Sequence, residues 1–300
     1  MKQKIKTNLK SVLSRELGNK TILITGGAGS IGSALTKKLL EYPVKTIRIL
    51  DVDEHALFTL KRSINDSRIR LLLGSVLDKE RIEIAGNKVD VIIHTAAIKN
   101  IEISEFNPIE TIDTNINGIV NMIKMTIRNK PKKFLNISTD KAAEPSTLYG
   151  TTKQLSERLT SWAGIHALPT KFASVRLGNV FESKGNVFEI WNDEIKNSQP
   201  LSITNPLMKR YFFHVDEAID FILKCITLIN RGEIFVPKMT SYNIKDLAIK
   251  ISKKQKIIGL RQGEKIKEIL ITETERKMAI EKKDMWIIKQ YTTISKLKVN

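Results

Sequence analysis

The feature that most narrows the fold is a short apolar run that ends in a glycine-rich turn and opens into a helix. Thr21-Ile22-Leu23-Ile24 is β-branched and apolar, the composition of a parallel strand buried on both faces. Thr25 to Gly32 then reads T-G-G-A-G-S-I-G, and Ala34 to Leu40 continues as a helix. In that context Gly26 serves a tight turn, Gly29 lets backbone approach a pyrophosphate, and Gly32 lets the helix pack against the strand. The phosphates of a dinucleotide would rest on free N–H groups of the first helical turn, at Ser30, Ile31 and Gly32.

A second strand, Thr46 to Leu50, ends at Asp51, nineteen residues past Gly32. A carboxylate there accepts hydrogen bonds from ribose hydroxyls and repels a 2′-phosphate. Neither Asp51 nor Val52 offers a cation for that phosphate, so NAD is expected rather than NADP. The plainer alternative has Asp51 capping the next helix. Val89 to His94 makes a further strand, and the small residues Ala96 and Ala97 after it leave room for a ligand in the crevice. Strands alternating with helices predict an α/β fold, a Rossmann-type doubly wound parallel sheet.

Further along, Ser138-Thr139-Asp140-Lys141 follows a buried strand, Phe134 to Ile137, and precedes a helix that begins near Tyr149. Tyr149 and Lys153 are four apart and project from one helical face. A neighbouring ammonium favours the phenolate, which predicts a lowered tyrosine pKa and a phenol usable in proton transfer. A solvated helix turn is the plain reading of that pair taken alone.

The glycine motif, His94-Thr95-Ala96-Ala97, Asn115 and Tyr149-x-x-x-Lys153 together resemble an extended short-chain dehydrogenase/reductase. More narrowly, S-T-D-K-A-A-E-P-S-T-L-Y-G-T-T-K resembles the CapD-like polysaccharide-biosynthesis family, whose soluble members include inverting UDP-N-acetylglucosamine 4,6-dehydratases. The likeness runs on through I-K-N-I-E-I-S-E-F-N-P, R-L-G-N-V, N-P-L-M-K-R-Y-F, G-E-I-F-V-P-K and G-L-R-Q-G-E-K.

The resemblance implies oxidation at C4 of a UDP-sugar, loss of water across C5–C6, and return of the hydride to C6. In these terms Tyr149, with Lys153, is the base at the C4 hydroxyl. Thr139 bonds the C4 oxygen, Lys141 is the C5 base and Asp140 the C6 acid. Retaining dehydratases of the wider group resemble S-T-D-E, so Lys141 implies inversion at C5. Asn115 joins the cofactor set, and Lys99, Asn179, Lys184, Arg210, Arg261 and Glu264 fall in segments that resemble nucleotide-sugar contacts. Two positions depart from the family pattern: Ser75 stands for a more usual aspartate, and Leu207 for a frequent arginine. A UDP-sugar 4-epimerase, or a dinucleotide-binding protein without catalysis, are the competing readings.

The chain has 300 residues and 41% hydrophobic content, enough for one α/β unit with a small lobe. A basic helix is expected over residues 1–18 and a cofactor domain over 19–180, with a return strand near 233–236. The substrate lobe is expected mainly within 181–300. The net charge is +18, with six Lys/Arg against one Glu in the first twenty residues. No nucleic-acid motif accompanies it, so solvated surface and substrate attraction are the preferred readings. Apolar positions Ile5, Leu9, Val12, Leu13 and Leu17 suit docking of the first helix on the protein, with lipid contact ranked last.

No apolar run approaches the roughly eighteen residues of a membrane span. The lone Cys225 suits a reducing cytosol and a core position. A cytoplasmic location is therefore expected. His55, His94, His166 and His214 lack metal-ligand spacing, so no metal is expected. By resemblance, helices near Pro108–Arg128 and Leu148–Trp162 pair in a homodimer or larger homo-oligomer.

Overall fold

Apolar runs with nothing polar between them can only be strands covered on both faces, and the chain supplies helices for both. A computed structural model describes residues 2–289, with side chains from residue 9 onward. The first half runs α1 (Lys2–Leu17), β1 (Thr21–Thr25), α2 (Ser30–Leu39), β2 (Thr46–Asp51), α3 (Glu54–Ser63), β3 (Ile69–Leu73), α4 (Lys79–Gly86) and β4 (Val91–His94). It continues with α5 (Ile101–Phe106), α6 (Pro108–Ile112), α7 (Gly118–Asn129), β5 (Lys133–Thr139), α8 (Leu148–His166) and β6 (Lys171–Leu177). Then come β7 (Asn179–Val180), α9 (Val187–Lys196), β8 (Leu201–Ile203), β9 (Lys209–Phe213), α10 (Val215–Leu228) and β10 (Glu233–Pro237). The last elements are β11 (Ser241–Asn243), α11 (Ile244–Ile251), β12 (Gln255–Ile257), α12 (Glu273–Met278), β13 (Ile280–Glu281) and β14 (Met285–Lys289).

Nine strands form one sheet in the order β13-β14-β10-β6-β5-β4-β1-β2-β3. From β3 to β10 every pairing is parallel, and β14 closes the far side antiparallel to β10. The order reverses at β1, whose neighbours are β2 and β4, so the crevice of a doubly wound sheet opens at their carboxyl ends. This is the Rossmann-type fold expected from the sequence. On one face Leu35, Leu39, Ile219, Ile222 and Ile226 of α2 and α10 bury the sheet. On the other, Ile82, Met122 and Met125 of α4 and α7 do so, with Phe134 and Phe172 of the strands between.

Leu13 and Leu17 of α1 are buried in the first of these cores, and Leu9 packs against it. The first helix thus docks on the protein along α10. The Ile5 side chain lies outside the described residues.

The small lobe has its own core of Trp191, Leu201, Ile203, Met208, Phe212, Ile244 and Ala248. It is built from α9, α11, a three-stranded sheet (β11-β9-β7) and a two-stranded one (β12-β8). Much of the chain past residue 180 nevertheless belongs to the large sheet: α10 packs on α2, β10 beside β6, and β14 beside β10. The segment after β12 leaves the lobe, pairs at Lys209↔Lys267, and returns to the sheet edge, where Leu270 and Ile271 pack on Ile234, Val236 and Ile288.

Gly26 holds the glycine loop against β4. Its φ is 64°, and a Cβ there would meet Ala96 Cα and N at 2.7 Å. A Gly26→Ala chain is expected to lose about 3 kcal/mol of stability, read by chemical denaturation.

Candidate active site

The carboxyl end of β5 and the first two turns of α8 carry the expected reactive groups. Thr147 caps α8 by accepting from Gly150 N, and Leu148 N donates to Glu105 Oε1 at 2.7 Å, so the helix start is fixed from two sides. A 3-10 turn over Asp140–Ala142 then brings Asp140 and Lys141 back beside the helix. Lys141 Nζ lies 3.1 Å from Asp140 Oδ1, and Thr139 Oγ1 donates to the same oxygen at 3.0 Å. Asp140 is wholly buried, and its other oxygen, Oδ2, has no partner among the described residues. Ser138 Oγ, also buried, has none either.

Tyr149 faces this group. Burial pushes its phenol pKa upward, the Asp140 carboxylate adds to the rise, and a hydrogen bond with Thr139 opposes it. The phenol is thus raised, rather than lowered by Lys153 as expected from spacing, because desolvation and the nearby carboxylate set its direction. Lys153 is buried, and desolvation brings its pKa down to about 8, with the Glu157 carboxylate one turn further along resisting the fall. His94, at the end of β4, shares a 2.7 Å contact with Thr25 Oγ1. Burial, with Lys153 adding to it, takes His94 down to about 3, so it is a neutral structural residue.

The glycine loop lies two strands away, past β4. Gly29 stands at the start of α2 with no side-chain cap, leaving the N–H groups of Ser30, Ile31 and Gly32 outside the helix's own bonding. A Cβ on Gly32 would meet Gly27 Cα at 2.4 Å, so this glycine serves closure of the loop on itself rather than helix–strand packing. Asp51 Oδ2 accepts from Ala28 N at 2.9 Å and Oδ1 from Asp53 N at 3.1 Å. The cap of α3 is Asp53, which accepts from Ala56 N, so the capping alternative for Asp51 falls away. The loop, its carboxylate and the small Ala96–Ala97 turn fit a dinucleotide.

Asn115 sits in a single π-helical turn, Asp113–Asn117, between α6 and α7. Its amide donates to Ile98 O (2.9 Å) and Thr152 Oγ1 (3.0 Å) and accepts from Ile98 N (2.8 Å). All of it is spent on holding the chain after Ala97 against α8.

The expected substrate residues fall into two groups. Lys99 Nζ donates to Lys184 O at 2.7 Å, and Lys184 N donates to Ser30 Oγ at 3.1 Å, which places both beside the glycine loop. Arg210, largely buried, bonds the carbonyls of Lys209 and Ile266 and lies 3.9 Å from Glu264 Oε1. Arg261 N donates to Glu264 Oε2 at 3.1 Å. Asn179 ties β7 to β9 through Tyr211 O. The chain over 259–265 meets the loop between the 3-10 turn and α8: Ser146 Oγ donates to Gly263 O at 2.6 Å, and Lys265 Nζ bonds Glu144 O. Leu207 is exposed, and Ser75 Oγ accepts from Leu77 N in its own turn.

Sequence reasoning missed the buried carboxylate of Glu157 and its partners. The available signal was spacing: Glu157 lies four residues past Lys153, on the same covered face.

A family model described as polysaccharide biosynthesis protein matches residues 22–290. A protein of Methanocaldococcus jannaschii named an uncharacterized membrane protein is 42% identical over 91% of this chain and 86% of its own. A UDP-N-acetylglucosamine 4,6-dehydratase (inverting) of Campylobacter jejuni is 39% identical over 90% of this chain and 82% of its own. A UDP-glucose 4-epimerase of Rickettsia bellii is 35% identical over 86% and 79%. The solved structure of Pen from Bacillus thuringiensis superposes with a TM-score of 0.87 at 34% identity, covering 91% of this chain and 88% of that one. Among the described residues no helix is long and apolar enough to cross a membrane.

Two outcomes follow from the geometry. In the cofactor-free protein the Lys153 ammonium should be present at low pH and lost on rising through about 8, read by lysine 13C NMR with Lys153→Arg as the assignment control. Asn115→Ala removes three hydrogen bonds and leaves Ile98 unpaired, for an expected loss of about 2–3 kcal/mol in chemical denaturation.

Proposed function

The chain belongs to the polysaccharide biosynthesis protein family, within the extended short-chain dehydrogenase/reductases, and on that premise we propose that it is a nucleotide-sugar 4,6-dehydratase. Its substrate in this reading is UDP-N-acetylglucosamine, its cofactor NAD, and its product a UDP-4-keto-6-deoxy sugar inverted at C5. The observation that carries the reading is the meeting of Tyr149, Thr139 and the Asp140–Lys141 pair at the end of β5. The C. jejuni relative supports it.

A nicotinamide dinucleotide would supply hydride transfer from C4 and back to C6. The glycine loop and Asp51 would hold it, and a carboxylate at that place repels a 2′-phosphate, which favours NAD over NADP.

The side chains do the rest. The phenolate of Tyr149, the form that a bound oxidised nicotinamide and the Lys153 ammonium would favour over the cofactor-free phenol, takes the C4 hydroxyl proton, and Thr139 bonds the C4 oxygen. Across the 3.1 Å contact a proton can pass from Lys141 to Asp140, giving a neutral amine and a carboxylic acid from one ion pair. The amine then takes the C5 proton and the acid protonates the departing C6 hydroxyl. Asp140 Oδ2, buried and without a partner among the described residues, is the oxygen left to carry that proton. Lys99, Lys184, Arg210 and Arg261 supply cations for the diphosphate, with Asn179 and Glu264 as polar contacts.

The R. bellii relative favours a second reading, a UDP-sugar 4-epimerase. That reaction uses Tyr149 and the cofactor but leaves the Asp140–Lys141 pair idle. We further propose a homodimer through α5, α6 and α8, where Phe106 is 80% and Ile109 70% exposed, beside exposed Leu155 and Trp162.

Incubation with UDP-N-acetylglucosamine should yield a product lighter by one water, with solvent deuterium at C5 in D2O. Lys141→Ala and Tyr149→Phe should each cost about 10²–10⁴-fold in kcat while folding and cofactor binding persist. An epimer of unchanged mass, or full activity in both variants, overturns the assignment.

A further inference from the structure

Beneath the catalytic helix lies a buried ion chain that the proposed reaction does not use. Arg176, on β6, is 1% exposed and Glu157, on α8, is 0% exposed. Arg176 Nε and Nη2 donate to Glu157 Oε1 and Oε2 at 3.0 and 2.7 Å. The other side of the guanidinium meets Glu275, with Nη1 to Oε2 at 2.9 Å and Nη2 to Oε1 at 2.8 Å, and Nη1 also donates to Leu270 O at 2.9 Å. Glu275 belongs to α12, where it completes a capping box with Thr272. One arginine therefore joins the catalytic helix to the segment returning from the small lobe. That segment is the same one whose earlier part, at Gly263 and Lys265, meets the loop between the 3-10 turn and α8.

The charges do not cancel: two carboxylates against one guanidinium leave one net negative charge. Its inner end, Glu157, is one helical turn from Lys153 and acts on that amine through space. The remaining groups around Lys153 are His94, which is neutral, and Tyr149, which is protonated; Asp140 lies beyond Tyr149. We propose that Glu275 is a positioning residue, completing through Arg176 and Glu157 an ion chain that couples docking of the returning segment to the charge on Lys153. With the segment docked, the chain carries its negative charge and the ammonium is supported. With Glu275 withdrawn, Arg176 and Glu157 neutralise each other and the support is lost. The inference rests on the proposed role of Lys153, but the coupling itself is measured without turnover.

The test is the Lys153 titration in the cofactor-free protein by lysine 13C NMR. Glu275→Gln deletes the charge while a glutamine still serves a capping box. Its Lys153 midpoint should fall, because the ion chain then carries no net negative charge beside the amine. Glu157→Gln should lower it at least as far. Glu273→Gln, an exposed carboxylate on the same helix outside the chain, should leave it unchanged. The alkaline limb of kcat with UDP-N-acetylglucosamine should move down with the midpoint. An unchanged midpoint in folded Glu275→Gln overturns the proposal, as does an equal fall in Glu273→Gln. If Glu275→Gln does not fold, an unchanged midpoint in Glu157→Gln overturns it instead. A shifted midpoint with no dehydrated product keeps the coupling and overturns the dehydratase assignment instead.

Discussion

Burying an amine and a carboxylate one turn apart on the same helix sets the terms for everything packed against it. Lys153 and Glu157 both lie under cover of β5 and β6, where an unpaired charge costs several kcal/mol. Glu157 is answered by a two-point contact from Arg176, and Arg176 in turn needs a second carboxylate and a carbonyl to satisfy its five donors. The sheet domain contains no described group in those places. The chain brings them from α12 and Leu270, so the last part of the polypeptide completes the interior of the first.

The same economy of partners appears at the other end of the site. Thr25 and His94 close the gap between β1 and β4, and the Asn115 amide spends every atom on Ile98 and Thr152. The π-helical turn is what lets this side chain reach inward from a helix that otherwise runs on regularly. With both positions held, Ala96 lies within touching distance of Gly26, and the crevice between the two strands keeps its width.

The parallel sheet was legible because Ile22–Ile24 and Val91–Ile93 are uninterrupted apolar runs, and Ile47–Leu50 is broken only by Arg48, a pattern that suits strands covered by two layers. The glycine loop was legible because Gly26 and Gly32 stand where a side chain has no room. The pairing of Asp140 with Lys141 follows from adjacency. Other parts depended on contacts between distant segments. No local pattern announces that Glu275 meets Arg176 ninety-nine residues away, or that Gly263 lies on Ser146. The direction of the Tyr149 shift was misread for the same reason, since spacing gives the neighbour on the helix but not the depth of burial. The return of β10 to the sheet lies where the return strand was expected, near 233–236, whereas α10 on α2 and β14 on β10 are contacts between distant segments that no local pattern announces.

The small lobe is tied to the large sheet at both ends of its own run, by β7 following directly on β6 and by the segment that ends at α12. Replacing the lobe would therefore cut the chain twice, once near β7 and once near α12. A replacement joined back before Leu270 keeps Glu275 and its contact with Arg176. One joined back after Met278 brings its own helix, and needs an acidic residue at that place to meet the guanidinium.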